Sequence, residues 1–178
     1  MKLRKLVFSS LFSILIVIGS YISIPLPFTP VPLTLQLFFI LLSGIMLGPY
    51  FGFLSVLMYE ILGIIGFPVF AGGQAGLSAL LGPTGGYLLG FLIAPLLIGY
   101  MFKRNEKLLI PSIFFAIFVI HTFGVIYLSF NLSISLLKAF YIGSLPFIPV
   151  DLVKGILAYM SSLLLLKNKE FRRLLFFE

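Results

Sequence analysis

Cysteine and tryptophan are absent from this 178-residue chain, and charge of either sign is scarce. Without cysteine there is no disulfide framework, no thiolate metal site and no cysteine nucleophile. The single histidine gives zinc too few ligands, so no metal is expected. Acidic residues number 5 and basic residues 12, a net charge of +7 with neutral histidine. Charged residues make up 10% and hydrophobic residues 61%, against about 25% and about 45–50% in an average soluble domain. Disorder needs the opposite balance. A soluble domain does not fit either, because too few polar side chains remain to cover its surface. No Gly-x-x-x-x-Gly-Lys-Ser/Thr phosphate loop occurs, and neither of the glycine clusters, 71–76 and 82–87, is followed by lysine. ATP hydrolysis is therefore not expected of this chain. One histidine and one aspartate in different spans define no catalytic triad, which depends on geometry, so no catalytic residue is assigned.

Long apolar runs are present instead. A membrane helix needs about 20 apolar residues, in a range of roughly 17–25. Candidate runs cover residues 6–22, 35–47, 52–66, 87–102, 108–130 and 150–166. They are continuous rather than alternating, which argues for helices over barrel strands. The expectation is an all-α polytopic membrane protein, a single six-helix domain over residues 1–178. The second and third runs are short, separated by Gly48-Pro49-Tyr50, and could form a re-entrant pair. The first run lacks an A-x-A-like cleavage site and reads as a retained span rather than a signal peptide.

Basic residues fix the expected orientation. Lys2, Arg4 and Lys5 precede the first run; Lys103, Arg104 and Lys107 lie between the fourth and fifth; Lys167, Lys169, Arg172 and Arg173 follow the sixth. With six spans, or four, all three clusters share one side. The positive-inside rule makes that side, and both termini, cytoplasmic. The excess positive charge then reads as topology and contact with the anionic lipid bilayer, not as nucleic-acid binding. The outer side receives three irregular segments: the proline-rich 23–32, the glycine-bearing 67–86 and 131–149. Irregular backbone at membrane depth is tolerated where protein buries it or it lines a cavity, which suggests an outward-facing small-molecule site.

Asp151 and Lys154 lie three apart at the start of the last run, on one helix face. A charge deep in the membrane costs about 2.5–3.5 kcal/mol on insertion scales, and a mutual pair reduces that cost. Two readings stay open: an ion pair wetted at the interface, or a site where Lys154 meets a bound carboxylate and Asp151 accepts N–H groups. Glu60 and His121 sit inside spans and read as structural groups facing neighbouring helices. Ser9 and Ser13 form a small-xxx-small pair, which serves either packing inside the bundle or docking of another membrane protein.

Several motifs in order resemble the BioY family of biotin transporters. They are Ile22-Ser23-Ile24-Pro25-Leu26-Pro27, Pro30-Val31-Pro32-Leu33-Thr34-Leu35-Gln36, Gly66-Phe67-Pro68-Val69-Phe70-Ala71-Gly72-Gly73, Leu81-Gly82-Pro83-Thr84-Gly85-Gly86-Tyr87, and Leu145-Pro146-Phe147-Ile148-Pro149 before Asp151 and Lys154. The resemblance covers nearly the whole chain. It implies a six-helix substrate-capture component of an energy-coupling factor transporter in a bacterial or archaeal plasma membrane. It also implies a transmembrane coupling protein and two cytoplasmic ATPases as partners, and biotin as ligand. By position, Asp151 and Lys154 match the family's acidic-x-x-lysine ligand motif, and Gly73, Gln74 and Tyr87 match the loop over the pocket. Gln74 stands where some relatives have Asn, and Leu88 where some have Arg. Phe70 and Tyr87 would wall the apolar thioether ring of biotin. Ser9 and Ser13 occupy the places of the family's alanine-xxx-alanine docking face. The rival expectations are a capture subunit for another vitamin, a small membrane enzyme using Asp151, His121 or Glu60, and an assembly protein that binds no small molecule.

Overall fold

The computed structural model describes residues 2–167. Its elements in order are α1 (Lys2–Tyr21), β1 (Ser23–Ile24), β2 (Leu33–Thr34), α2 (Gln36–Ile64), a 3-10 turn (Ala71–Gly73), α3 (Leu77–Leu81), α4 (Gly85–Arg104), a second 3-10 turn (Glu106–Leu108), α5 (Leu109–Leu132), α6 (Leu136–Gly143) and α7 (Ile148–Lys167). Five of these helices, α1, α2, α4, α5 and α7, are long and apolar enough to cross a membrane. Six spans were expected, and the difference lies in α2, which holds the second and third apolar runs.

α2 is not straight. Gly48 has φ 76° and ψ −175°, a region open almost only to glycine. Pro49 comes next; its fixed φ and missing N–H suit the first position of a new helix. The chain turns back there. Gln36 donates a hydrogen bond to the Tyr59 hydroxyl, although a straight helix would hold them about 35 Å apart. The arms then pack tightly on each other and on α4. A Cβ on Gly52 would lie 3.1 Å from the Gly44 Cα and 2.9 Å from the Pro95 Cβ. At 1.5 Å per residue the arms, 36–47 and 49–64, rise about 18 Å and about 24 Å, each less than the hydrocarbon core of about 30 Å. The first arm is apolar all round, as buried helices are. Leu37, Ile40, Leu41, Ile45, Met46 and Leu47 are all buried.

α1 lies along the hairpin. Ser9 and Ser13, expected as candidates for a docking face, are both buried. The Ser9 hydroxyl donates to the Phe51 carbonyl at 2.9 Å and lies 3.0 Å from the carbonyl of Lys5 in its own helix. Here small side chains let α1 approach the hairpin, as the packing alternative for this pair expects. The outward stripe of α1 is Leu3, Val7, Leu11, Ile14 and Ile18.

The two ends of the bundle differ. Lys5 sits over the Phe51 ring, 5.6 Å from its centroid, and Gly99 near the end of α4 touches Gly48 and Pro49. The start of α1, the hairpin tip and the basic end of α4 therefore share one end. Of the basic residues after the last run, Lys169, Arg172 and Arg173 lie outside the described residues. The other end carries the short β1–β2 ladder, which pairs Ser23 with Thr34 and Ile24 with Leu33, together with the Ala71–Gly73 turn, α3 and α6. α6 was not expected in the segment 131–149. Ser135 caps it, its hydroxyl accepting the Lys138 N–H.

Candidate functional site

The polar-floored cavity sits at the end opposite the hairpin tip. The first turn of α2 gives Gln36 and Leu37, and the second arm of α2 gives Tyr59. α4 gives Tyr87, Leu88 and Phe91; α5 gives Ile120 and His121; α7 gives Asp151 and Lys154. Residues 30–34, the loop carrying Phe70 and Gln74, Thr84 before α4 and Phe147 before α7 complete the lining. Proline at 30 and 32 holds the first of these loops extended.

The charged floor comes from one helical turn. Lys154 donates to Asp151 Oδ1 at 2.7 Å, as three-residue spacing on a helix allows. Asp151 is 7% exposed and Lys154 6%, so the pair is buried and not a wetted interfacial one. The carboxylate has a second partner besides Lys154. Asp151 Oδ2 lies 3.1 Å from Nε2 of His121 on α5, and the His121 Nδ1 lies 2.8 Å from the Ser144 hydroxyl at the end of α6. Burying two charges is tolerable only with such added hydrogen bonds.

Aromatic side chains shape the walls. The Phe70 ring meets Tyr59 edge to face at 5.5 Å between centroids, and its backbone is held by a small turn. Phe70 N–H donates to the Gln74 carbonyl at 3.0 Å, and Gly73 N–H donates to the Phe70 carbonyl at 2.9 Å. Tyr87 meets His121 edge to face and donates its hydroxyl proton to the Gly143 carbonyl.

The sequence-derived residues Phe70, Gln74, Tyr87, Asp151 and Lys154 thus line a single cavity. Gly73 does not line it; with φ 79° it shapes the turn that presents Phe70 and Gln74. Ser9 and Ser13 lie elsewhere, under α1. Gln36, Tyr59 and His121 line the cavity although the sequence assigned them no ligand role. A polar residue at the head of an apolar helix was the available signal for Gln36, since intramembrane polar groups are functional candidates by default. Glu60, next to Tyr59, is buried, and its Oε1 has no hydrogen-bond partner among the described residues.

Chemically, the cavity offers ammonium and amide donors, a carboxylate acceptor and aromatic walls. Such a mixture suits a small ligand with an apolar body and polar ends. Spanning helices around a buried site of this kind define an integral membrane protein with an internal binding cavity. Residues 1–170 match the family model described as the BioY family. The chain is 40% identical over 167 residues to the biotin transporter BioY of Thermotoga maritima, covering 93% of this chain and 97% of that one. It is 43% identical over 155 residues to the probable biotin transporter BioY of Pyrococcus horikoshii, covering 87% and 91%. The crystal structure of the S-component for biotin from an ECF-type ABC transporter superposes with a TM-score of 0.89 at 34% identity, covering 98% of this chain and 96% of that one. The chain belongs to the BioY family.

Proposed function

We propose that this protein is the biotin-binding membrane subunit of an ECF-type vitamin importer. It captures biotin from outside and passes it to an ATP-driven module made of a transmembrane coupling protein and two cytoplasmic ATPases. The observation that carries this reading is the buried Asp151–Lys154 pair, joined by His121, in a cavity walled by Phe70 and Tyr87. Biotin needs those features: donors and acceptors for its ureido ring, apolar walls for its thioether ring and a cation for one of its polar ends. Lys154 keeps two ammonium protons beyond the one given to Asp151. Gln74 and Gln36 supply amides, and the 70–74 turn closes over the ligand and excludes water.

In this reading both arms of α2 cross the membrane, giving six crossings and placing both termini in the cytoplasm of a bacterial or archaeal cell. The hairpin tip lies with Lys5 and Lys103 at the inner face, and the cavity opens outward. The protein itself is a carrier of ligand with no catalytic group, and its energy comes from the partners.

Calorimetric titration of the detergent-purified protein with biotin, with thiamine and riboflavin as controls, tests the assignment. One-to-one binding of biotin alone is the expected result. Binding of another vitamin in its place would keep the architecture and replace the substrate. Absence of binding by folded protein would remove the capture role.

A further inference from the structure

His121 joins the Asp151–Lys154 pair but has been given no part in ligand binding so far, and both of its ring nitrogens are engaged. Nδ1 faces the Ser144 hydroxyl at 2.8 Å and Nε2 faces Asp151 Oδ2 at 3.1 Å. A carboxylate can only accept, so Nε2 must carry the proton that reaches Asp151. Lys154 already balances the Asp151 charge at 2.7 Å. A neutral imidazole therefore completes the set without a second buried cation, and its unprotonated Nδ1 accepts from Ser144. The order of donation is Ser144 Oγ–H to His121 Nδ1, then His121 Nε2–H to Asp151 Oδ2, with Lys154 Nζ–H donating to Asp151 Oδ1. The acceptor-only carboxylate fixes the imidazole tautomer, and that tautomer makes the Ser144 hydroxyl the donor.

We infer that His121 is a positioning residue for ligand binding, holding the Asp151 carboxylate so that Lys154 keeps its remaining N–H groups turned to the cavity, with Asp151 setting the imidazole tautomer and Ser144 holding the far side of the ring. The consequence reaches beyond the floor of the site. Ser144 follows α6 directly, and the Gly143 carbonyl beside it takes the Tyr87 hydroxyl. The end of α6 thereby touches both the charged floor and an aromatic wall of the cavity. Loss of the His121 link frees the carboxylate to rotate and draw the ammonium away from the ligand. The geometry of donors, rather than the bulk of the ring, is what the site requires.

This inference rests on biotin capture for its binding readout, so its test has two arms. Labelling with 15N-histidine reports one imidazole, because the chain contains a single histidine. The expected spectrum of the ligand-free protein is the neutral Nε2–H tautomer, and Ser144→Ala should leave it in place, because the Asp151 carboxylate can only accept. A proton on Nδ1 alone or an imidazolium, in the wild type or in Ser144→Ala, would overturn the inference whether or not biotin binds. The second arm compares His121→Phe, which keeps ring bulk without the donor, with His121→Gln, which offers an N–H near the Nε2 position. His121→Phe should weaken biotin binding about tenfold or more relative to His121→Gln, the range for a hydrogen bond to a charged group. Thermal unfolding in detergent identifies the folded variants to be compared. Equal affinities in two folded variants would overturn the positioning role. Wild-type protein that binds no biotin would fail the functional assignment alone, and the tautomer spectrum then decides the inference.

Discussion

The hydroxyl of Tyr87 on α4 is committed to the carbonyl of Gly143 at the end of α6. The ring of Tyr87 faces the cavity while its polar tip fastens an outer helix. A single side chain thus walls the site and ties down one of the elements over it. Tyr87→Phe keeps the wall and removes the tie. It should lower stability by about 1 kcal/mol, the usual net worth of a buried hydrogen bond, read from the unfolding midpoint. Tyr87→Ala should also weaken biotin binding, because it removes the wall, and calorimetry would separate the two effects.

Lys154→Ala should cost about 2–5 kcal/mol of ligand binding, since it leaves the Asp151 charge buried without its cation. Titration with biotin reads this directly. Affinity within about threefold of wild type, a change of only about 0.7 kcal/mol, would remove Lys154 from the ligand contacts.

The same pair distinguishes fold from function. Breaking a buried ion pair by removing one partner commonly costs about 3–5 kcal/mol of stability, whereas replacing both by apolar residues is often neutral. Asp151→Leu with Lys154→Met should therefore be more stable than Lys154→Met alone, yet bind no biotin. Thermal unfolding and titration of the two variants check this. A double variant that still binds would place recognition elsewhere in the cavity.

Gly48→Ala should destabilise the protein by about 1–3 kcal/mol, because φ 76° with ψ −175° is accessible almost only to glycine. The open space around Gly48 means that the cost comes from backbone strain alone, since a Cβ there meets nothing within 4 Å. Unfolding midpoints of the variant and wild type measure it.

Ser9→Leu should lower stability by about 1–3 kcal/mol through overpacking, since Ser9 is fully buried and bonded to the Phe51 carbonyl. Coupling-protein docking is then better probed by substitutions on the exposed stripe of α1. A Ser9→Leu protein as stable as wild type would show that α1 can shift away from the hairpin at little cost.

Local signals were legible in the sequence. Asp151 and Lys154 declared their shared face by spacing, and Gly48-Pro49 declared a break between two apolar runs. Contacts across helices were not legible. The His121–Ser144–Asp151 chain joins residues 23 and 30 positions apart, and no periodicity encodes such a meeting. Burial of Ser9 was hidden for another reason. In a membrane the lipid-facing side is as apolar as the core, so the pattern of hydrophobic residues does not say which side of α1 faces inward. α6 escaped notice because two helical turns between polar residues resemble a loop.

The first arm of α2 is a pillar cut short. It rises about 18 Å, while the neighbouring helices of 20 and 24 residues rise about 30 Å and about 36 Å. Being enclosed by protein, the pillar has no bilayer thickness to match. Gln36 at its head lines the cavity and packs beside Gly19 of α1. The place of the Gln36 amide in the binding chamber is therefore metered by the length of a helix, and each added or deleted turn in that arm would move it by about 5.4 Å.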